Sequence, residues 1–247
     1  MKKIIIGIVS RPIHSNSDRN MLGVYESYLR CVIKAGGIPL IISPTANIEY
    51  EKYNKHVELT ELELENLEYI LNLCDGIIMP GGDEPYKYDY CILKFAIKKD
   101  IPILGICLGM QIMCSLNNNN LVPVYNHYLT NHKIYLENSK LKKIFNRDIL
   151  YVNSRHKEQA KNSGIYKVVA RSDDEIIEAV ELDTNTFNIG VEWHPEDISE
   201  QQILFDEFVR LIKKQKKWLL SFCEYCEHSY LLSGYIKKIC NKIVKMW

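Results

Sequence analysis

One cysteine, one histidine and one glutamate stand where the chain could assemble a nucleophile, its base and the group that orients the base. Cys107 lies in Gly105-Ile106-Cys107-Leu108-Gly109, within and directly after the apolar run 101–106. Such a run reads as a fully buried strand, and residues 110–116 favour a helix. Strand, sharp turn and helix leave the thiol at the apex. Glycines two positions to either side remove side chains that would collide with the neighbouring strand and helix. A helix N-terminus also offers N–H groups that favour a thiolate. Taken alone, the motif has a plainer reading, a buried core cysteine beside two structural glycines.

Val191-Glu192-Trp193-His194-Pro195-Glu196 shifts the balance. Pro195 biases His194 toward extended backbone, and in extended backbone residues two apart share a side. His194 and Glu196 can therefore face one place. A thiol needs a base, and the base needs an orienter to fix its tautomer. A third stretch, Met79-Pro80-Gly81-Gly82, closes another strand-like run. Beside the elbow, the N–H groups of Gly82 and Leu108 would form an oxyanion hole. Without the elbow it would read as an ordinary loop.

Together these stretches resemble the class I glutamine amidotransferase-like superfamily. Within it they are most similar to the gamma-glutamyl hydrolases of the gamma-glutamyl-GABA hydrolase type (peptidase family C26). Further matches are Ala35-Gly36-Gly37-Ile38-Pro39-Leu40, Tyr151-Val152-Asn153-Ser154-Arg155-His156 and Ile177-Glu178-Ala179-Val180. The similarity runs over about residues 3–212 in family order. It implies a flavodoxin-like α/β fold and hydrolysis of a gamma-glutamyl amide through a glutamyl thioester, with Cys107, His194 and Glu196 as the triad. It also implies that Gln111, Asn153, Ser154 and His156 help to form the substrate pocket.

The chain departs from that pattern in three places. Asp89 matches the Asp of the family's Asp-x-x-Glu, but Ile92 stands at the Glu position. Leu108 follows the nucleophile where the GABA-type branch often has Arg. The run Asn117–Asn120, an expected exposed turn, replaces a Gly-Gly-x-Leu-x-Gln-Asp segment. None of these touches the triad; all lie where substrate groups beyond the reacting amide could sit. Two other functions remain open: a glutaminase subunit that delivers ammonia to a separate synthetase, and a non-catalytic binding protein on the same fold.

Composition bounds the rest. The 247 residues carry 31 Lys+Arg against 31 Asp+Glu, so there is no electrostatic case for nucleic acid. Eight cysteines are too scattered over this length for a disulfide framework, which points to free thiols in a reducing cytoplasm. The start, Met1–Val9, imitates a signal peptide, but Arg11-Pro12 follows at once without a small-residue cleavage site. No window has the roughly 20 apolar residues of a membrane span. The expected partner is a small gamma-glutamyl substrate, with no nucleic acid, no membrane and no cofactor.

Strands alternating with helices over residues 3–116 imply a mainly parallel sheet covered on both faces, with ligands at the strand carboxyl ends. The strands are expected at 3–9, 38–43, 76–79 and 101–106. The helices are expected from about Asn20 to Gly36-Gly37 (apolar face Leu22, Tyr25, Leu29, Val32, Ile33), at 59–73 and at 89–99. Residues 121–191 are richer in short strands, a smaller antiparallel-looking portion of the same domain. A last helix is expected at 199–214, ending a hydrolase domain of residues 1–214. Residues 215–247 read as an amphipathic extension, two short helices hinged near Ser233-Gly234. Its apolar stripe would fold back on the domain or pair with a second subunit in a homodimer, in preference to lying on an acidic membrane. Cys223-x-x-Cys226-x-His228 is half a zinc site, with only Cys240 or His56 to complete it, so no metal is expected.

Overall fold

The computed structural model describes residues 3–13, 21–45, 58–116 and 121–228, with side chains described as far as Trp218. The first strands and helices are β1 (Ile5–Val9), β2 (Arg11–Ile13), β3 (Met21–Gly23), α1 (Glu26–Lys34), β4 (Ile38–Ile42) and α2 (Glu61–Leu71). The elbow region follows as β5 (Gly76–Met79), α3 (Lys87–Lys99), β6 (Ile103–Ile106) and α4 (Leu108–Cys114). The second half is β7 (Leu121–Pro123), β8 (Tyr128–Leu136), α5 (Lys140–Phe145), β9 (Ile149–Arg155), β10 (Glu158–Ala160), β11 (Lys167–Ser172), β12 (Ile177–Glu181), β13 (Asn188–Val191) and α6 (Gln202–His228).

A nine-stranded sheet in the order β4-β1-β5-β6-β13-β12-β11-β8-β9 runs through the molecule. From β4 to β13 the pairing is parallel; from β13 to β9 it is antiparallel. The expected antiparallel portion is thus a continuation of the parallel sheet. Helices cover both faces. Ile6 and Ile8 of β1 and Ile78 of β5 turn toward Tyr28 and Val32 of α1 and Leu204, Phe208 and Ile212 of α6. Ile77 and Met79 turn the other way, toward Leu67 and Leu71 of α2, Ile92 and Leu93 of α3, and Met110 and Met113 of α4. The period-two alternation of strand side chains divides this core in two, and each fully buried aliphatic chain stabilises it by about 1.5–3 kcal/mol.

Two expected boundaries differ. The helix expected from about Asn20 begins only at Glu26, because Arg11–Ile13 and Met21–Gly23 pair as an antiparallel hairpin. The buried face of α1 is Tyr28, Cys31 and Val32, while Tyr25 and Ile33 point to solvent. Apolar spacing near a helix start cannot tell a first turn from an edge strand. At the other end, α6 continues from Gln202 to His228 without a break at Lys214. Gln215 Nε2 donates to the Asp100 carbonyl at 3.1 Å and Lys216 Nζ donates to Asp75 at 2.5 Å, so the first residues beyond Lys214 still contact the domain. The Asn117–Asn120 run, His56, the Ser233-Gly234 hinge and the side chains of Cys223, Cys226, His228 and Cys240 lie outside the described residues. Among the described residues no helix is long and apolar enough to cross a membrane.

Candidate active site

Three adjacent parallel strands, β5, β6 and β13, end together. Met79 pairs with Gly105 and Val191 with Ile106. The Cys107 N–H donates to the Val191 carbonyl at 2.8 Å, so the elbow and the His194 segment leave the sheet at one point. Cys107 has φ 52° and ψ −110°, backbone that a side chain adopts only under strain. The elbow glycines are there for sterics. A Cβ on Gly109 would lie 2.1 Å from the Met79 carbonyl oxygen, and one on Gly105 would lie 2.8 Å from the Gly109 carbonyl carbon.

A Cβ placed on Gly81 would lie 2.9 Å from His194 Cε1 and 3.5 Å from Cys107 Cβ. The imidazole and the thiol-bearing carbon therefore border the same small space, capped by the Pro80-Gly81-Gly82 turn. His194 Nδ1 meets Glu196 Oε1 at 2.7 Å. The carboxylate accepts, so the proton sits on Nδ1 and Nε2 carries the lone pair a base needs. This pairing arises differently from the extended segment expected: Pro195–Asp197 forms a single 3-10 turn, which brings Glu196 back to the ring.

The Leu108 N–H points at the Cys107 sulfur and favours its anion, but burial outweighs it. Desolvation, reinforced by the nearby Glu192 carboxyl, pushes the thiol well above its ordinary pKa. Burial thus outweighs the help that the helix start gives the anion; α4 has only seven residues and its first turn is buried. Since the anion forms only as pH rises through this elevated pKa, alkylation of Cys107 by iodoacetamide is expected to be slow near pH 7. It should climb without a plateau to at least about pH 9. A plateau below about pH 7 would contradict this.

Several residues hold the turn and the base. Gly81 N–H donates to the Tyr28 hydroxyl at 3.2 Å, which anchors the turn on α1. A Cβ on Gly82 would touch Leu108 Cδ2 at 2.9 Å, so the two candidate oxyanion-hole residues are neighbours. Tyr28 also faces Glu196; its phenol is pushed up by burial and by that carboxylate. Arg11 is buried, pairs with Asp89 at 2.6 Å and donates to the Pro80 carbonyl at 3.2 Å, which ties the turn to β2 and α3. Sequence reasoning missed Tyr28 and the Arg11 contacts, although Asp89 had been picked out by resemblance.

The side chains of the four residues expected in the substrate pocket all bond to neighbouring groups of the protein. Asn153 Oδ1 accepts the His194 N–H at 2.8 Å and its Nδ2 donates to the His194 carbonyl at 2.9 Å. Asn153 thus clamps the backbone of the candidate base from β9. Gln111 Nε2 donates to Glu192 Oε1 at 2.5 Å and to the Glu158 carbonyl at 3.0 Å, beneath the elbow. Burial and the neighbouring Glu178 hold the Glu192 carboxyl well above the usual range. Ser154 donates to the His127 carbonyl at 2.5 Å, and His156 meets His127 at 3.1 Å; both side chains are buried. Asn153→Ala removes two hydrogen bonds to the His194 backbone, of about 1 kcal/mol each. The expected result is a fall in kcat of about 10–100-fold with KM nearly unchanged. A rise in KM at constant kcat would instead make Asn153 a substrate contact.

The model of the glutamine amidotransferase class-I family matches residues 42–211. The chain belongs to this family. Gamma-glutamyl-gamma-aminobutyrate hydrolase PuuD of Escherichia coli is 30% identical, over 74% of this chain and 84% of that protein. A Rickettsia prowazekii protein named glutamine amidotransferase-like is 26% identical, over 82% of this chain and 92% of its own length. Among solved structures, the glutaminase domain of Trypanosoma brucei CTPS with bound acivicin superposes with a TM-score of 0.67 at 19% identity, covering 86% of this chain and 94% of that one. At that identity the superposition speaks for the family fold alone.

Proposed function

We propose that this chain is a cysteine hydrolase that cleaves a gamma-glutamyl amide and releases glutamate and an amine. The observation that carries this reading is the meeting of Cys107 and His194 beside Gly81, with Glu196 2.7 Å behind the imidazole. The resting thiol is neutral, so the first step is general-base attack. His194 Nε2 takes the thiol proton as sulfur bonds to the amide carbonyl carbon. The Leu108 and Gly82 N–H groups receive the oxyanion. Collapse breaks the C–N bond, and His194 returns the proton to the leaving amine. A water molecule, deprotonated by His194, then hydrolyses the glutamyl thioester and regenerates the thiol. Glu196 keeps His194 in the right tautomer and stabilises the imidazolium. Free-thiol chemistry of this kind suits a reducing cytoplasm.

The similarity to the Escherichia coli hydrolase over most of both chains supports hydrolysis without a synthetase. The purified chain is expected to hydrolyse members of a panel of gamma-glutamyl amines, gamma-glutamyl-GABA and polyglutamates included, with no second protein present. Leu108 after the nucleophile favours a second reading, a glutaminase that passes ammonia to a synthetase. Turnover of free glutamine alone, and only with a second protein added, would support that reading and overturn the first.

A further inference from the structure

Below the elbow lies a second group of ionisable side chains that the proposed reaction does not touch. His127 immediately precedes β8, His132 lies on β8, His156 immediately follows β9 and Glu178 lies on β12. Around Glu178 Oε1 stand His132 Nε2 at 2.9 Å, His127 Nδ1 at 3.5 Å and His156 Nε2 at 3.9 Å. His127 Nδ1 and His156 Nε2 are 3.1 Å apart.

The outward nitrogens fix the tautomers. His156 Nδ1 lies 2.9 Å from the Glu158 carbonyl, which can only accept, so Nδ1 carries a hydrogen. His127 Nε2 lies 3.1 Å from the Asp174 carboxylate, so Nε2 carries one as well. If both rings are neutral, His127 Nδ1 and His156 Nε2 then present lone pairs to each other at hydrogen-bond distance. Two lone pairs repel unless a cation lies between them. The Glu178 carboxylate faces the same point, and its Oε2 is buried without a partner.

We propose that His127 Nδ1, His132 Nε2 and Glu178, whose ligand atoms all lie within 4.8 Å of one another, bind one divalent first-row metal ion, with zinc the best fit. Tetrahedral zinc with bonds of about 2.0–2.1 Å separates its ligand atoms by roughly 3.3 Å. Glu178 Oε1 lies 2.9 Å from His132 Nε2 and 3.5 Å from His127 Nδ1, on either side of that value. His127 has the outer contact common to metal-bound histidines, its Nε2–H donating to the Asp174 carboxylate, whereas His132 Nδ1 is buried without a partner. Imidazole nitrogens with one carboxylate suit zinc among the metals that such ligands take. The ion would tie β8 to β12 across β11. His132 is partly exposed and Asp174 more so, which gives an ion a way in.

The test uses the full chain, purified without a histidine tag, incubated with zinc chloride and desalted. About one zinc per chain is expected, with X-ray absorption showing nitrogen and oxygen ligands at about 2.0–2.1 Å and no sulfur. Glu178→Gln with His132→Ala should lose the metal, while Cys223→Ser with Cys226→Ser should keep it. In the wild type, a chelator should lower the melting temperature and zinc should restore it, a reading that does not depend on any variant folding. A metal-free wild type, sulfur in the zinc shell, or a melting temperature indifferent to chelator would overturn the proposal. So would nitrogen NMR of zinc-treated protein that shows a proton held between His127 and His156.

Discussion

Replacing Cys107 with alanine is expected to lower turnover of every gamma-glutamyl amide by about six orders of magnitude, the loss typical when a covalent nucleophile is removed from an intact site. The fold should survive. The substitution removes one buried sulfur, and alanine inherits the φ of 52°, so the strain is neither added nor relieved. Stability should change by about 1 kcal/mol or less. Cys107→Gly separates the two contributions, because glycine tolerates positive φ. It should be as inactive as the alanine variant while melting no lower. Paired activity and melting measurements check both statements. Residual turnover in the alanine variant above about one part in a thousand would mean that another group attacks the substrate.

Gly109→Ala is expected to damage the whole molecule. Its Cβ would sit 2.1 Å from the Met79 carbonyl oxygen and 2.9 Å from the Met79 carbonyl carbon, backbone that cannot turn aside as a flexible side chain would. Met79 ends β5 and begins the Pro80-Gly81-Gly82 turn, and it pairs with Gly105 of β6. To accept the methyl group, α4 must move off the sheet or β5 must leave its register with β6. Either movement costs about 3 kcal/mol or more, a fall in melting temperature of about 6–12 °C for a domain of this size. Loss of activity should accompany it, because the Gly82 and Leu108 N–H groups move apart. Gly105→Ala is the milder control. One of its 2.8 Å contacts is Met113 Sδ, a flexible atom that can shift, although the other is the Gly109 backbone. If Gly109→Ala melts with the wild type, the steric account of the elbow is wrong.

The elbow was legible in the sequence because its physics is local: the glycines, the nucleophile and the strand–helix change all fall within Gly105–Gly109. His194 and Glu196 were legible for the same reason, although a 3-10 turn and not an extended strand brings them together. The alternation of strands and helices gave the layered sheet. What the sequence hid is mostly contact across long separations. Asn153 lies 41 residues from His194, and nothing near residue 153 signals that its amide mimics a strand partner. The amphipathic pattern near α1 pointed to Tyr25 and Ile33, when it is Tyr28 that faces inward to Gly81 and Glu196. The histidines gather on an irregular strand: β8 shifts register between Tyr128 and Thr130, and Leu129 has φ 55°. A period-two reading of β8 cannot anticipate how His127 and His132 come to face Glu178. The depth to which the thiol is buried, which outweighs the N–H groups of the helix start, is likewise a long-range property.

The most direct test of the account is to stop the reaction on the enzyme. The full-length chain is mixed with a turned-over gamma-glutamyl amide, quenched in acid during the steady state, digested and analysed by mass spectrometry. The account predicts a glutamyl group on the peptide that contains Cys107, absent from Cys107→Ala and lost on brief treatment with hydroxylamine. Turnover with no acyl group on Cys107, or with the group on another residue, would contradict it.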